Sequence, residues 1–417
     1  MNAPDISLPG FKEQLPADVL ADCAGLCYPA GPGNTIDMLF GLAALTRSER
    51  FHHRLSRALE AMCFTDASES QLARHAVAVL DRLPADSRAR LFGTPLAETD
   101  TAGHGPDELA GSDESRRLLS GIRHLVHHPD LRDIALILPP CLFYQGFFYL
   151  PHIHALLLNG TEDTTVAVVE KHGKTHFVWS DGPSITLPND GSGLPAGFRH
   201  PRLAALPRIG RFAILNGIPE VAPLLSSFDP AADGEIQEGA DRISLALELL
   251  EQIWPYAFHA IRRHVKAFCI LKQRGYSRSH SPPELPGAIL MSADEVERIG
   301  DLLCHESSHV RMNVFRLYDP IARARDPKAE AAGFVSPWRP DLRPLKGLVD
   351  GVHAFLNVCQ YHRKLGEWCD GAWIAGAIYE RQKQNVIQAN ALLQRHAAPT
   401  RTGAMLMEEF IREEALL

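Results

Sequence analysis

The segment His305-Glu306-Ser307-Ser308-His309 carries the residue types and spacing in this chain best suited to chemistry. Side chains at i and i+4 of a helix point the same way, so a single metal ion can take a nitrogen from each imidazole. In a zinc hydrolase the intervening Glu306 activates water on the metal. In a non-haem iron oxygenase three protein ligands share one face and the remaining positions stay open. Two histidines do not complete either centre, so a third ligand must come from beyond the helix. The potential ligands downstream are Asp350, His353, His362, Glu367 and Glu380. His353 fits best, because it is flanked by Gly351, Val352, Ala354 and Phe355, the company of a close-packed interior. The same surroundings also suit a histidine that is only part of a core.

The elements that must hold these groups can be read from periodicity. Ser292-Ala293-Asp294-Glu295 has the pattern of a capping box and predicts a helix starting there and running to about Leu317, ahead of Asp319-Pro320. Ile299, Leu302, Leu303, Val310 and Val314 form one apolar stripe of that helix. His305 and His309 lie on its shoulder with Arg298, Met312 and Arg316, which predicts half-buried imidazoles lining a cleft. The apolar run Ala288 to Met291 predicts a strand or extended segment leading into the helix. Pro344 predicts the first turn of the helix that carries His353.

Between the two helices, Ser336-Pro337-Trp338-Arg339-Pro340-Asp341-Leu342-Arg343-Pro344 contains three fixed φ angles and reads as a stiff loop. Such a loop can hold Arg339 or Arg343 for bidentate recognition of a carboxylate. Equally, both arginines can pair with internal acids such as Asp341 and simply pin the loop.

The 417 residues are 45% hydrophobic and 22% charged, enough for a substantial core, with a net charge of -8 that gives no broad attraction for nucleic acid or acidic membranes. The N-terminus carries Asp5, Lys12, Glu13 and Asp18 in place of an apolar signal core, and no apolar run of about 20 residues is present, so a cytoplasmic location is expected. The eight cysteines, Cys23, Cys27, Cys63, Cys141, Cys269, Cys304, Cys359 and Cys369, lack paired spacings and read as reduced thiols, with Cys304 turned away from the metal pair into the core.

Along the chain an α+β fold is expected, in three regions: a helical N-terminal region, 1–130, a β-rich central region, 131–230, and a helical region, 231–417, that carries the metal motif. Helical spacing marks Phe40 to Met62, Gln71 to Leu83 and Ser115 to Val126, with a loop over Thr94 to Ser112. Strands are expected at Ile134 to Leu138, Thr164 to Glu170, His176 to Ser180 and Arg211 to Leu215, with a hairpin turn over Glu170 to Thr175 in which Gly173 takes positive φ. Amphipathic spacing in the N-terminal third allows three uses: binding a leader peptide, a homodimer interface, or buttressing the core.

Taken together, Gly287-Ala288-Ile289-Leu290-Met291, Glu306 within the metal pentapeptide, the proline-bounded loop from Ser336 to Pro344, and Gly351-Val352-His353-Ala354-Phe355 are similar to HExxH-type 2-oxoglutarate-dependent peptide β-hydroxylases, which are encoded beside ribosomally made natural-product precursors. The resemblance covers about Ala288 to Phe355. It implies Fe(II) held by His305, His309 and a third ligand matched best by His353, with 2-oxoglutarate and O2 as cosubstrates. It further implies that Arg339 or Arg343 holds the distal carboxylate of 2-oxoglutarate, and that Glu306 acts as a supporting group or proton relay. The substrate would be a precursor peptide hydroxylated at a β-carbon.

The rival class is a zinc metallopeptidase with Glu306 as general base. Against it, Val310-Arg311-Met312-Asn313-Val314 follows His309 where an extended HExxHxxGxxH pattern would continue. A non-catalytic peptide-binding protein is the third reading.

Overall fold

The computed structural model describes residues 27–29, 35–61, 63, 64, 66–93, 118–128, 135–190, 194, 197–219, 221–369 and 373–417. The fold class is α+β, helical towards both ends with sheets between. The predicted loop Thr94 to Ser112, Ile134, Cys23 and the N-terminal charged residues lie outside the described residues. Two compact units are built from interleaved stretches of chain. One comprises the described residues through Leu39, Leu250–Ala260 and Leu303–Leu417; the other comprises Phe40–Leu249 and Ile261–Leu302. The β-rich stretch 131–230 thus lies within the second unit, while 1–130 and 231–417 each contribute to both.

In the second unit the helices α1 (Thr35–Glu60, entering at Phe40), α2 (Ala67–Arg82) and α3 (Ala85–Leu91) precede three sheets. The first sheet is antiparallel in the order β1 (Ala135–Leu138), β4 (Val166–Lys171), β5 (Lys174–Trp179) and β6 (Ser184–Pro188). At its centre, His172 (φ 53°) and Gly173 (φ 71°) close the predicted hairpin between β4 and β5. The second sheet joins β2 (Phe147–Leu150), β3 (Ala155–Leu158) and β7 (Leu203–Ala205). Phe51, Phe92, Phe148, Phe177 and Trp179 anchor the apolar cluster beneath these elements.

The third sheet has the order β11 (Ser279–His280), β12 (Ala288–Ser292), β10 (Ala267–Leu271), β9 (Phe212–Ile214) and β8 (Arg208–Ile209), with β10 parallel to both neighbours. Every residue of β10 and β12 is buried, which is why Ala288 to Met291 reads as an unbroken apolar run instead of alternating. The short helix α4 (Ala222–Ser226) follows β9, and α5 (Asp233–Ile253) and α6 (Pro255–His264) lead into β10.

The motif helix α7 spans Val296–Arg316, so it starts later than the sequence pattern suggests. Ser292 does not cap it. Its hydroxyl accepts from the Arg278 amide at 2.9 Å and donates to the Arg278 carbonyl at 3.3 Å, because Ser292 is the last residue of β12 and the neighbouring extended segment claims its side chain. The local turn ahead of α7 is made by Asp294, whose carboxylate accepts the Glu295 amide at 2.9 Å. The predicted apolar stripe is in place: Ile299, Leu303, Val310 and Val314 are all at most 3% exposed, each contributing roughly 1.5–3 kcal/mol relative to exposure.

In the first unit α7 is followed by β13 (Ala322–Ala324), α8 (Pro327–Ala332), β14 (Phe334–Ser336), β15 (Arg339–Arg343), α9 (Leu345–Trp368), α10 (Trp373–His396), β16 (Ala397–Pro399) and α11 (Arg401–Leu416). Helices α9 and α10 pack together, and β13 pairs with β16. Pro344 is the N-cap of α9, extended and one residue ahead of the first turn in which the sequence places it. The proline-rich segment is a hairpin and not a loop: β14 and β15 pair antiparallel, with Phe334 opposite Arg343 and Ser336 opposite Arg339. Pro337 falls in the turn, and Pro340 is tolerated because a two-stranded ribbon leaves donors unused on its outer edges. Among the described residues no helix is long and apolar enough to cross a membrane, and the described cysteines are free thiols.

Candidate metal centre

The metal motif, the hairpin arginines and the candidate third ligand all belong to the first unit. His305 and His309 are both half-buried on α7. Their Nε2 atoms lie 3.0 Å apart, with the ring planes at 84°. Two nitrogens bound to one ion at about 2.1 Å stand about 3.0 Å apart when they subtend about 90°, and about 3.4 Å apart at a tetrahedral angle. The pair therefore has the spacing of two adjacent positions around a six-coordinate metal. Without an ion, the same spacing requires one ring to donate Nε2–H to the other. Two imidazoles converging at this distance fit a divalent transition metal, which His305 and His309 would hold.

Glu306 is 2% exposed, and its Oε1 lies 4.0 Å from His305 Nε2. Ser307 and Ser308 donate their hydroxyls back to the Cys304 carbonyl at 3.2 and 2.8 Å, which satisfies both polar groups inside the helix. Cys304 itself is buried, in the core role read from its position.

On α9 the side chain that meets His305 is Phe355, edge-on with ring centroids 4.8 Å apart. Trp338, from the turn between β14 and β15, stacks on Phe355 at 4.6 Å and 5°, and donates its indole N–H to Gln382 at 3.1 Å. Gly351 makes that stacking possible, since a Cβ there would lie 2.6 Å from the indole. A continuous run of rings thus ties the hairpin to the metal pair.

His353 sits elsewhere on α9, since a residue two positions from Phe355 points some 200° away around the helix. It is 1% exposed and lines a small cavity with Ile36, Arg311, Met312, Phe315 and Leu406. Among the described residues no three His, Cys, Asp or Glu side chains are grouped to hold a metal ion. The structure brings His305, His309 and Glu306 together and leaves His353 on a neighbouring flank of α7.

Arg339 is exposed, and Arg343 pairs with Asp341 at 3.2 Å, the pinning arrangement that the sequence allows beside the clamp. Arg316 pairs with Asp350, and Arg298 with Asp301. Arg311 is a polar residue of the site that the sequence reading misses. It is 2% exposed, donates to Ser308 Oγ at 3.3 Å and to Asn357 Oδ1 at 3.2 Å, and burial lowers its pKa to about 10, leaving it a cation near neutrality. Its burial depends on the approach of α9, which local periodicity along α7 does not register.

No family model and no curated relative matches the chain.

Proposed function

We propose that this protein is a cytoplasmic Fe(II)- and 2-oxoglutarate-dependent hydroxylase acting on the β-carbon of a residue in a ribosomally synthesised peptide. The observation that carries the metal part of this reading is the 3.0 Å separation of the His305 and His309 nitrogens, which suits adjacent sites of an octahedral ion. The peptide substrate and the cosubstrate come from the resemblance over Ala288 to Phe355. Bound iron with 2-oxoglutarate and O2 supplies the oxidising power to replace a C–H bond by C–OH, with succinate and CO2 as coproducts.

The protein's own work is positioning and exclusion. His305 and His309 hold the metal, and the third protein ligand, for which His353 is the family match, must be brought to it from its present place beside Arg311. Phe355 backed by Trp338 walls one side of His305 and keeps water from that flank. Glu306, buried one residue from the first ligand, orients the centre or relays a proton. Arg339 and Arg343, on the exposed hairpin, are the family matches for the cosubstrate clamp.

A second reading, a zinc peptidase, is favoured by one observation: the Glu306 carboxylate stands 4.0 Å from a metal-facing nitrogen, within reach of a water on the metal. Anaerobic reconstitution with Fe(II) and 2-oxoglutarate separates the two. The oxygenase gives the visible charge-transfer absorption of a keto acid chelated to ferrous iron, and on admission of O2 gives succinate, both lost in His305→Ala and His309→Ala. Fully metallated protein with neither signal, and zinc-dependent cleavage of a test peptide, would replace the oxygenase by the hydrolase.

A further inference from the structure

The four-stranded antiparallel sheet of the second unit has two unlike faces. Its inward side chains, such as Val168 and Phe177, belong to the apolar cluster beneath it. A sheet packed on one side only ordinarily alternates apolar residues inward with polar residues outward. The outward face departs from that rule. Ile137, Ala167 and Val178 stand directly opposite one another across β1, β4 and β5, and Ala135 and Val169 stand side by side in the next row. Ile137 is 55%, Val178 42% and Val169 37% exposed. Large apolar side chains that adjoin in this way across several strands mark a surface that another surface covers.

The charges at the two ends of the sheet identify the covering surface. Lys171 and Lys174 pair across the tip of the β4–β5 hairpin, where like charges directly opposite repel. Glu162 and Asp163 lie just ahead of β4, at the other end. All four are exposed, and none is in an ion pair among the described residues. The other acids nearby are engaged: Asp181 pairs with Arg202, and Asp190 interacts with the buried His127. The face is therefore apolar at its centre, positive at one end and negative at the other. Such a pattern is complementary to itself when turned end for end.

We propose that the outward face of this sheet is a homodimer interface, in which two copies stack sheet on sheet about a two-fold axis lying between them and across the strands. That axis reverses strand direction, so the lysines of each copy come over Glu162 and Asp163 of the other, and every such contact occurs twice. An axis along the strands would instead set lysine against lysine. Four strands about 4.8 Å apart, followed for about eight residues from the acidic turn to the hairpin tip, cover on the order of 500 Å² per copy. That is smaller than a standard interface, so the dimer forms reversibly, with a Kd on the order of tens of micromolar. The inference goes beyond the oxygenase reading and uses no residue of the metal centre.

The test is sedimentation equilibrium of the full chain at low salt, at concentrations on both sides of that Kd. A monomer–dimer equilibrium is expected. Val178→Lys puts a charge at the centre of the face, where stacking buries it without a partner, and should weaken association by more than about a hundredfold. Lys171→Glu with Lys174→Glu makes both ends negative and should weaken it by about tenfold. Adding Glu162→Lys and Asp163→Lys to that variant reverses both ends and should restore the native affinity. If Val178→Lys does not fold, the charge-reversal series alone decides. A native chain that stays monomeric, a dimer that survives Val178→Lys, or a charge-reversal series in which all variants associate alike would each overturn the proposal.

Discussion

At the scale of single residues, what sets the pair His305 and His309 apart from His353 is that their Nε2 atoms meet at 3.0 Å. His353, chosen from the sequence for its apolar neighbours, is buried as those neighbours imply, but burial is a property shared by ligands and core residues alike. What distinguishes them is direction, and direction around α9 is set by contacts far away in sequence. His305→Ala or His309→Ala leaves one imidazole, and metal affinity should fall by more than about a hundredfold, since even outer-sphere partners are worth about 10- to 100-fold. Metal content after dialysis, with circular dichroism to verify the fold, measures this. Arg343→Ala should alter stability by less than about 1 kcal/mol, because its half-exposed pair with Asp341 is worth little. If Arg343 is the clamp, the same variant weakens 2-oxoglutarate binding in the iron-loaded protein; unchanged cosubstrate affinity removes it from that role.

At the scale of elements, the metal pair is held from two sides: by the stripe of α7 that packs it inward, and by the rings Trp338 and Phe355 that press on His305. Gly351 is the joint between hairpin and helix. Gly351→Ala puts a methyl 2.6 Å from the indole, so Trp338 must move and Phe355 with it. Overpacking of this kind costs about 1–3 kcal/mol, and metal binding should weaken in parallel. Gly366, in the same helix, has nothing within 4 Å of where an added methyl would stand, so Gly366→Ala should stabilise the protein by about 0.5–1 kcal/mol through helix propensity alone. Chemical denaturation of both variants checks the contrast; equal effects would show that the Trp338 contact contributes nothing to stability.

These elements also mark how far the sequence can be read. The stripe of α7, the start of α9 at Pro344, the buried strand Ala288–Ser292 and the turn at Gly173 follow from period and local backbone chemistry, and all are present. The capping box is not realised, because β11 pairs with β12 and the Arg278 backbone takes the Ser292 hydroxyl. The hairpin at Phe334–Arg343 is hidden by prolines that suit edge strands as well as loops. The ring contact of Phe355 on His305, and the burial of Arg311, are tertiary facts with no local signal.

At the scale of the whole chain, the second unit carries a set of buried ionisable groups that should govern its response to pH. Burial holds His127 at a pKa of about 4. His154 is also at about 4, through burial and then the nearby Arg208, while His152 is well below its ordinary value through burial and then His128. All three are favoured neutral in the fold, so their contribution is fully present above about pH 6.5, the value in the unfolded chain, and is lost as pH falls towards 4. Glu170 opposes them. Burial raises it to about 8, so the fold favours its protonated form, and that contribution is complete only below the unfolded value of about 4.5 and disappears as pH rises through 8. Between these limits three histidines outweigh one carboxyl, and stability should rise with pH from about 4.5 to 6.5 by on the order of 1–3 kcal/mol per pH unit. Glu170→Gln removes the opposing group and isolates its sign: the gain in Tm of the variant over the native chain should grow steadily from pH 5 to pH 8. A difference that stays flat across that range would mean that Glu170 is ionised in the folded protein and that its carboxylate has found a counter-charge.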